Sequence, residues 1–276
     1  MIPEYLFRAL LASVMVGTLL GMLSPLINIK GAAFLTHATF HSLLFGAVLG
    51  MILGLIFGNL SLIFWVSLPI AIMVVIAVAE LEMRGYSADT AVGAVAGLVA
   101  GLTVLGFGLL YKVMASRPYF ALSESIVTYL TGEIFLVTLE DLWMLVLGGI
   151  IIFGLMLLFY RDFVYLSFDP EGMESCGGHV RLYLILLYIL VGATGGLIVK
   201  TVGLITLQVV AVLPGAIAMS LAKSVRELMG ISLAITLSVQ LASVLLGYVL
   251  DMPPSGIATI FLGMLYGGLM VRRRLQ

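Results

Sequence analysis

Nine long apolar segments, separated by short polar stretches, constrain the fold of this chain more than any other feature. A helix that crosses a lipid bilayer needs about 20 predominantly apolar residues. Because water is absent from the bilayer interior, backbone polar groups must pair with one another, and a helix achieves this within a single segment. The sequence therefore predicts an all-α, polytopic transmembrane helical bundle. The candidate segments are 6–27, 32–58, 60–81, 89–111, 142–160, 182–202, 204–222, 229–250 and 255–271.

The number of spans is predicted to be eight or nine, because only 200–203 interrupts the apolar run from 182 to 222. No soluble domain fits between the segments, so 1–276 is expected to form one transmembrane domain. The longest stretch outside the spans, 112–141, mixes tyrosines and glutamates, which favours a partly helical connection at the membrane surface.

Composition excludes several classes of protein. Hydrophobic residues make up 62% of the chain, charged residues make up 10%, and the mean hydropathy is +1.24, so a soluble fold could not cover the apolar surface. A net charge of −1 leaves no basic face for nucleic acid. Cys176 is the single cysteine, so one chain forms neither a disulfide nor a cysteine zinc site. Phosphate-loop and common hydrolase motifs are absent from the sequence, and no catalytic residue is predicted.

Basic residues give the orientation, because cytoplasmic loops of membrane proteins carry an excess of Lys and Arg. With nine spans and the N-terminus outside, most basic residues fall on one side, which is then predicted to be cytoplasmic. That side holds Lys30, Arg84, Arg161, Arg181, Lys223, Arg226, Arg272, Arg273 and Arg274, and the other holds Arg8, Lys112, Arg117 and Lys200.

Glycines recur every four residues in two of the predicted spans. Small residues at this spacing allow helix backbones to approach closely, so compact packing between helices is expected along both rows. A second local signal is Pro214 beside Gly215, which predicts a helix kink because proline removes one backbone hydrogen bond. The glycine rows are Gly46, Gly50, Gly54 and Gly58, and Gly93, Gly97 and Gly101.

His37 and His41 are the candidate metal ligands. They lie four residues apart in an apolar segment, so both imidazoles project from one face of a helix. Ionisable groups at membrane depth usually mark a transport pathway or a binding site, and imidazole binds divalent ions of the zinc type. The alternative is a pair of histidines that hydrogen-bonds between helices without an ion. Since two histidines cannot complete a four-coordinate zinc shell, the metal hypothesis includes a symmetric homodimer.

A polar segment between two spans and a few isolated polar residues each have a structural explanation. The polar segment 167–178 has Asp169 before Pro170 and ends in two glycines, which predicts a short helix of about two turns. It is either an ordinary surface helix, which the residues alone favour, or a docking element for a cytoplasmic partner. Gln208 and Gln240 are polar residues in late spans, and both are expected to form interhelical hydrogen bonds rather than to bind metal. His179 is expected at the membrane interface, not as a ligand.

Six blocks, in order along the chain, resemble the membrane permease subunit of the zinc/manganese class of ABC importers, the ABC-3-type permeases. Segment 34–46 aligns with the family pattern G-D-A-L-S-H-x-V-L-P-G, in which His41 matches the histidine and Gly46 the last glycine. Segment 203–218 is similar to the pattern G-L-L-L-V-x-A-L-L-x-L-P-A-A-x-A. The other blocks are 8–12, 84–93, 129–133 together with 140–142, and 168–177, the last of which is similar to the family's coupling helix.

The resemblance implies a multi-pass permease of the plasma membrane that works as a homodimer by alternating access. Its partners would be a cytoplasmic ATP-binding subunit and an extracytoplasmic metal-binding protein. ATP would be hydrolysed on the separate subunit, so this chain would not be an enzyme. No cofactor would be bound permanently, because the divalent metal, zinc or manganese with iron as a further option, is the transported substrate. Coupling to the ATPase would fall to Asp169, Pro170, Glu171 and Gly177, within a coupling helix at about 168–178.

The chain departs from the family pattern at the metal position. In the family, an aspartate four residues before the histidine is proposed to contact the metal together with it, and this chain has His37 there. The metal-binding role therefore passes to His41 directly and to His37 as a substituted position. The family's proline before the final glycine is Phe45. Imidazole in place of carboxylate shifts the expected preference from manganese toward zinc or another borderline ion.

Two other transport functions remain as alternatives. One is an ABC permease for a metal chelate such as a siderophore or a corrinoid. Such a permease would need a wider path through the bundle and would need no paired histidines. The other is a stand-alone secondary transporter, which needs carboxylates in the middle of a span. Glu80 and Glu82 are the nearest candidates, but they lie at a span end.

Overall fold

The computed structural model describes residues 3–116 and 132–274, and this part of the chain is helical. A short 3-10 turn, Ile134–Leu136, precedes the fifth α-helix. Residues 117–131, which include half of the connection predicted at the membrane surface and part of the 129–133 block, lie outside the described residues. The α-helices are α1 (Glu4–Lys30), α2 (Leu35–Phe57), α3 (Leu62–Met83), α4 (Ala88–Ser116), α5 (Leu139–Leu158), α6 (Tyr160–Phe168), α7 (Pro170–Ser175), α8 (Val180–Val202), α9 (Leu204–Leu221), α10 (Val225–Leu250) and α11 (Pro254–Arg274).

Eight of these helices are long and apolar enough to cross a membrane: α1 to α5, α8, α10 and α11. The helix α9 is apolar but shorter. Gly203, with a φ of +82°, separates α8 from α9, and this left-handed conformation is one that glycine adopts without steric cost. The predicted all-α bundle of eight to nine spans is confirmed, and the break expected at 200–203 is a real helix boundary.

The first helix lies at the centre of the bundle. It packs against α10, α9 and α5, while α2 packs against α3 and α4, and α8 lies against α3. The side of α1 that carries Ala9, Ala12, Val16 and Leu20 is buried. This arrangement holds α2 and α9 on the side of the bundle where the candidate histidines lie.

The two glycine rows have different environments. A Cβ atom added at Gly46 would lie 2.4 Å from Ser67 Cα, and one at Gly50 would lie 2.6 Å from Ile63 Cα, so α2 packs backbone to backbone on α3. In contrast, a Cβ atom at Gly93, Gly97 or Gly101 meets no described atom within 4 Å. Close packing between helices is thus confirmed for Gly46 and Gly50 of the α2 row, whereas a Cβ atom at Gly54 would meet the loop at Asn59 and one at Gly58 would meet no described atom within 4 Å. Within one chain the prediction is wrong for the α4 row. The physical reason is that α4 turns other residues, including Val92 and Ala96, toward the core.

Ion pairs tie the helix ends together. At one end of the bundle, Lys30 Nζ of α1 lies 2.7 Å from Glu82 Oε1 of α3. The Tyr188 hydroxyl of α8 donates to the other oxygen of Glu82, and Arg181 pairs with Glu80 at 2.5 Å. The two glutamates are therefore engaged in ion pairs in the last turn of α3, as expected for residues at a span end and not for free carboxylates in mid-membrane.

At the opposite end, Lys200 near the end of α8 donates to both carboxylate oxygens of Asp141, at 2.7 and 2.8 Å. Asp141 also completes a capping box with Thr138, in which each side chain bonds the other residue's backbone N–H and so satisfies free donors at the start of α5. These contacts fix α5 and α8 relative to each other, next to the entry into α9.

Candidate metal-binding site

His37 and His41 meet on the exposed side of α2. Their Nε2 atoms are 3.1 Å apart, and the rings are nearly perpendicular, with centroids 4.5 Å apart. Both side chains are half-buried. The prediction that the two imidazoles share one helix face is confirmed, and their ligating nitrogens lie close enough together to contact a single ion.

Aromatic rings hold the first histidine in place. The ring of Phe34 stacks on His37 with an interplanar angle of 10° and centroids 5.1 Å apart. Phe40 lies nearly parallel to His37 at 6.4 Å and edge-on to His41 at 5.0 Å. Because stacked rings resist rotation, the imidazole of His37 is held with its Nε2 atom toward His41.

Gln208 of α9 completes the polar part of the site. Its side-chain Nε2 lies 2.9 Å from His37 Nδ1, so an interhelical hydrogen bond joins α9 to α2. The expectation that Gln208 bonds between helices is confirmed, but its partner could not be identified from the sequence. By contrast, the Nε2 atom of buried Gln240 has no hydrogen-bond partner among the described residues.

An open groove runs between α2 and α9 beside these residues. It has a volume of about 300 Å³, and apolar side chains of α9 form its far wall. His37 and Gln208 are the nitrogen-bearing side chains that line it, and most of the remaining lining is apolar. The residues around it are Phe34, Thr36, His37, Gln208, Val209, Val212 and Leu213.

The geometry of the histidine pair fits two neighbouring corners of a metal's coordination shell. With Zn–N distances of about 2.0–2.1 Å, two ligands of a tetrahedral ion are about 3.3–3.4 Å apart. The observed 3.1 Å separation is close to this edge. An octahedral ion has a similar edge, so the spacing fits divalent ions generally, and the type of ligand decides among them. Within the described part of the chain, no group of three or more His, Cys, Asp or Glu could hold a metal ion.

The helix α9 continues through Pro214 with help from α1. Since proline has no N–H, the backbone hydrogen-bond ladder is interrupted near this residue. Ser24 and Asn28 donate to the carbonyl oxygen of Val212, at 3.1 and 2.9 Å, and Ser24 Oγ accepts from the N–H of Gly215 at 2.8 Å. These bonds anchor the middle of α9 on α1, and a kink at Pro214 stays a prediction.

The predicted short polar helix is α7. Asp169 accepts a hydrogen bond from the N–H of Gly172 at 2.8 Å, Pro170 occupies the first helical position, and Gly177 follows the helix with a φ of +80°. The start and stop signals read from the sequence are thus confirmed. The exposed Glu171 lies in its first turn. His179, also exposed, precedes α8 and lies outside the histidine pair's surroundings.

Comparison with known proteins identifies the family. A family model described as the ABC 3 transport family matches residues 3–272. The manganese transport system membrane protein MntC of Listeria monocytogenes is 27% identical over 218 residues, which cover 78% of this chain and 71% of that protein. The manganese import system permease protein ScaB of Streptococcus parasanguinis is 25% identical over 248 residues, covering 90% and 83%.

A solved structure shares the fold. PsaBC from Streptococcus pneumoniae, in complex with Fab, superposes with a TM-score of 0.76 over 97% of this chain and 91% of that chain, at 19% identity. The family match covers nearly the whole chain, and the eight apolar spans make it a multi-pass protein of the plasma membrane. The chain belongs to the ABC 3 transport family, the membrane permeases of zinc/manganese-type ABC importers that its sequence resembles.

Proposed function

We propose that this chain is the membrane-spanning subunit of an importer for divalent metal ions, with zinc preferred over manganese and iron. The observation that carries the proposal is the pair of imidazole Nε2 atoms 3.1 Å apart beside an open groove. It transports the ion and catalyses no covalent chemistry itself. ATP is hydrolysed on a separate cytoplasmic subunit, and the ion is delivered by an extracytoplasmic metal-binding protein.

The preference for zinc follows from the ligand type. The relatives above are named for manganese, an ion that favours carboxylate and carbonyl oxygens, whereas imidazole suits zinc, copper, iron and nickel. This chain has His37 at the position where the family pattern has aspartate. Nitrogen ligands bind zinc more tightly than manganese in the general order of divalent affinities, so the substitution favours zinc.

A homodimer supplies the remaining ligands. Two histidines fill half of a four-coordinate shell, and no third residue of this kind joins them within the described part of one chain. The groove opens to the surface of the protomer, so a second copy related by a two-fold axis would bring two more histidines to the same ion. The ion then sits at the subunit boundary, where relative motion of the subunits can expose it to either side.

Energy from the ATPase enters through α7. Asp169, Pro170 and Glu171 form the start of this helix, and Gly177 ends the turn that follows it. A few residues later α8 begins, and its Arg181 is paired with Glu80 of α3. A displacement of α7 is therefore transmitted to α8, and from α8 to the ends of α3 and α1 through the Arg181–Glu80 and Lys30–Glu82 ion pairs. Alternating access results when these helices move relative to α2.

The test is ATP-dependent uptake of radioactive zinc and manganese into vesicles that contain the permease with its ATPase. The wild type is expected to take up zinc in preference, and His37→Asp is expected to shift the ratio toward manganese. His179→Asn, at the exposed third histidine, is the matched control and leaves the ratio unchanged. An unchanged ratio in His37→Asp contradicts the zinc assignment. Uptake of zinc only as a chelate contradicts the free-ion assignment.

A further inference from the structure

The hydrogen bonds around the histidine pair link their protonation to the orientation of Gln208. When the amide nitrogen of Gln208 faces the ring, 2.9 Å from His37 Nδ1, that nitrogen donates and Nδ1 accepts and carries no proton. A neutral His37 then has its proton on Nε2, and that N–H donates to His41 Nε2 at 3.1 Å. His41, an acceptor at Nε2, carries its own proton on Nδ1.

This arrangement closes the site, because both nitrogens that would bind an ion are occupied by one shared hydrogen bond. A metal needs the lone pairs of both Nε2 atoms. His41 already has the required tautomer. His37 has the opposite one, so its proton must transfer from Nε2 to Nδ1 before or as the ion binds. The ring stays neutral, and no proton is released from it.

We propose that Gln208 is the positioning residue that switches His37 between a closed and a metal-binding tautomer by turning its side-chain amide. This inference rests on the proposed metal-import function. With Nε2 of the amide toward the ring, Gln208 stabilises the closed pair. With Oε1 toward the ring, it accepts the N–H of Nδ1 and leaves the Nε2 lone pair free for the ion. A glutamine can donate or accept at this position by turning its amide, whereas an ionised carboxylate only accepts and an aliphatic residue does neither.

The location of Gln208 gives the switch a second consequence. It lies on α9, and Ser24 and Asn28 of α1 hold the middle of that helix. A residue on another helix that hydrogen-bonds a ligating histidine changes its own orientation when the ion changes the tautomer of that histidine. Metal capture on α2 is therefore transmitted to α9 through the orientation of a single amide.

The experiment uses the full-length dimer in lipid nanodiscs, labelled with ¹⁵N-histidine. The chain has three histidines, so NMR distinguishes the tautomer of each, and His179→Asn assigns the third. Without metal, His37 is expected to be protonated at Nε2, and added Zn²⁺ is expected to move that proton to Nδ1. Gln208→Glu, which can only accept from Nδ1, is expected to show the metal-binding tautomer before zinc is added.

Gln208→Leu is expected to lose the tautomer preference and to bind zinc about 10–100-fold more weakly, as when a ligand's hydrogen-bond partner is removed. Gln240→Leu makes the same change on α10, away from the site, and is expected to leave tautomer and affinity unchanged. If zinc perturbs His37 and His41 but Gln208→Leu alters neither tautomer nor affinity, the switch is wrong and metal binding stands. If zinc leaves both histidines unperturbed in the wild type, the proposed function itself fails, and the switch with it.

Discussion

The contact between α2 and α3 gives a prediction that joins packing to the metal site. In Gly46→Ala, the new Cβ atom would lie 2.4 Å from the Cα atom of Ser67, a backbone atom that cannot rotate away. Since carbon atoms pack at about 3.5–4.0 Å, the two helices must separate locally by more than about 1 Å. A shift of this size moves α2 relative to α9 and breaks the 2.9 Å bond between His37 and Gln208, because hydrogen bonds are lost beyond about 3.5 Å.

The expected cost follows from two opposing effects. Overpacking of this kind lowers the free energy of unfolding by about 1–3 kcal/mol, whereas replacing a helical glycine with alanine raises it by about 0.5–1 kcal/mol. Since the clash is with backbone, the cost is about 3 kcal/mol and the net loss is about 2–2.5 kcal/mol, so Gly46→Ala should lower the melting temperature in detergent by about 4–10 °C and weaken zinc binding at least about tenfold. Gly154→Ala, inside α5 with no described atom within 4 Å of the new Cβ, is the matched control and should retain stability and zinc affinity. Equal melting temperatures and equal zinc affinity in the two variants would refute the reasoning.

Three other predictions concern the ends of the bundle. Glu82→Gln should lower the free energy of unfolding by about 3 kcal/mol, because its ion-pair partner Lys30 is largely buried. Glu80→Gln should lower it by less than about 1 kcal/mol, because its partner Arg181 is 70% exposed. Equal losses of stability in thermal unfolding would contradict this difference. Burial raises the pKa of Glu133, which lies before α5. Because the pKa is raised in the folded state, Glu133 contributes most to stability at low pH, where it is neutral. This contribution is lost as the pH rises through the folded-state pKa. The melting temperature of Glu133→Gln should therefore match that of the wild type near pH 4 and exceed it at pH 7. A higher melting temperature of the variant at pH 4 only would contradict this pH dependence. Cys176, exposed at the end of α7, should react with a maleimide in the isolated permease and be protected by the ATPase subunit; unchanged labelling in the complex would argue against docking at α7.

Local features of this structure could be predicted from the sequence, and long-range ones could not. Helix length and apolar character determine the spans, and a helical spacing of four determines that His37 and His41 share a face. The start of α7 at Pro170 and the break at Gly203 are likewise encoded by adjacent residues. The partner of His37 could not be found this way, because Gln208 is 171 positions distant and its apolar surroundings indicate only that it needs a hydrogen bond.

The same limit applies to the glycine rows and to Pro214. Both rows have the spacing that allows close packing, but only the tertiary arrangement shows that Gly46 lies against α3 and that Gly97 faces no described neighbour. The proline indicates an interrupted ladder in α9. That Ser24 and Asn28 would supply the hydrogen bonds there depends on how α1 crosses α9, which no local pattern records.

ATP-driven zinc uptake by the double variant His37→Ala/His41→Ala tests the central claim most directly. The variant should assemble with its ATPase and retain ATP hydrolysis, because both histidines belong to α2 and not to α7, yet zinc uptake should fall to the level of vesicles without ATP. Zinc uptake at the wild-type rate by the assembled double variant would contradict the claim that these two imidazoles bind the transported ion.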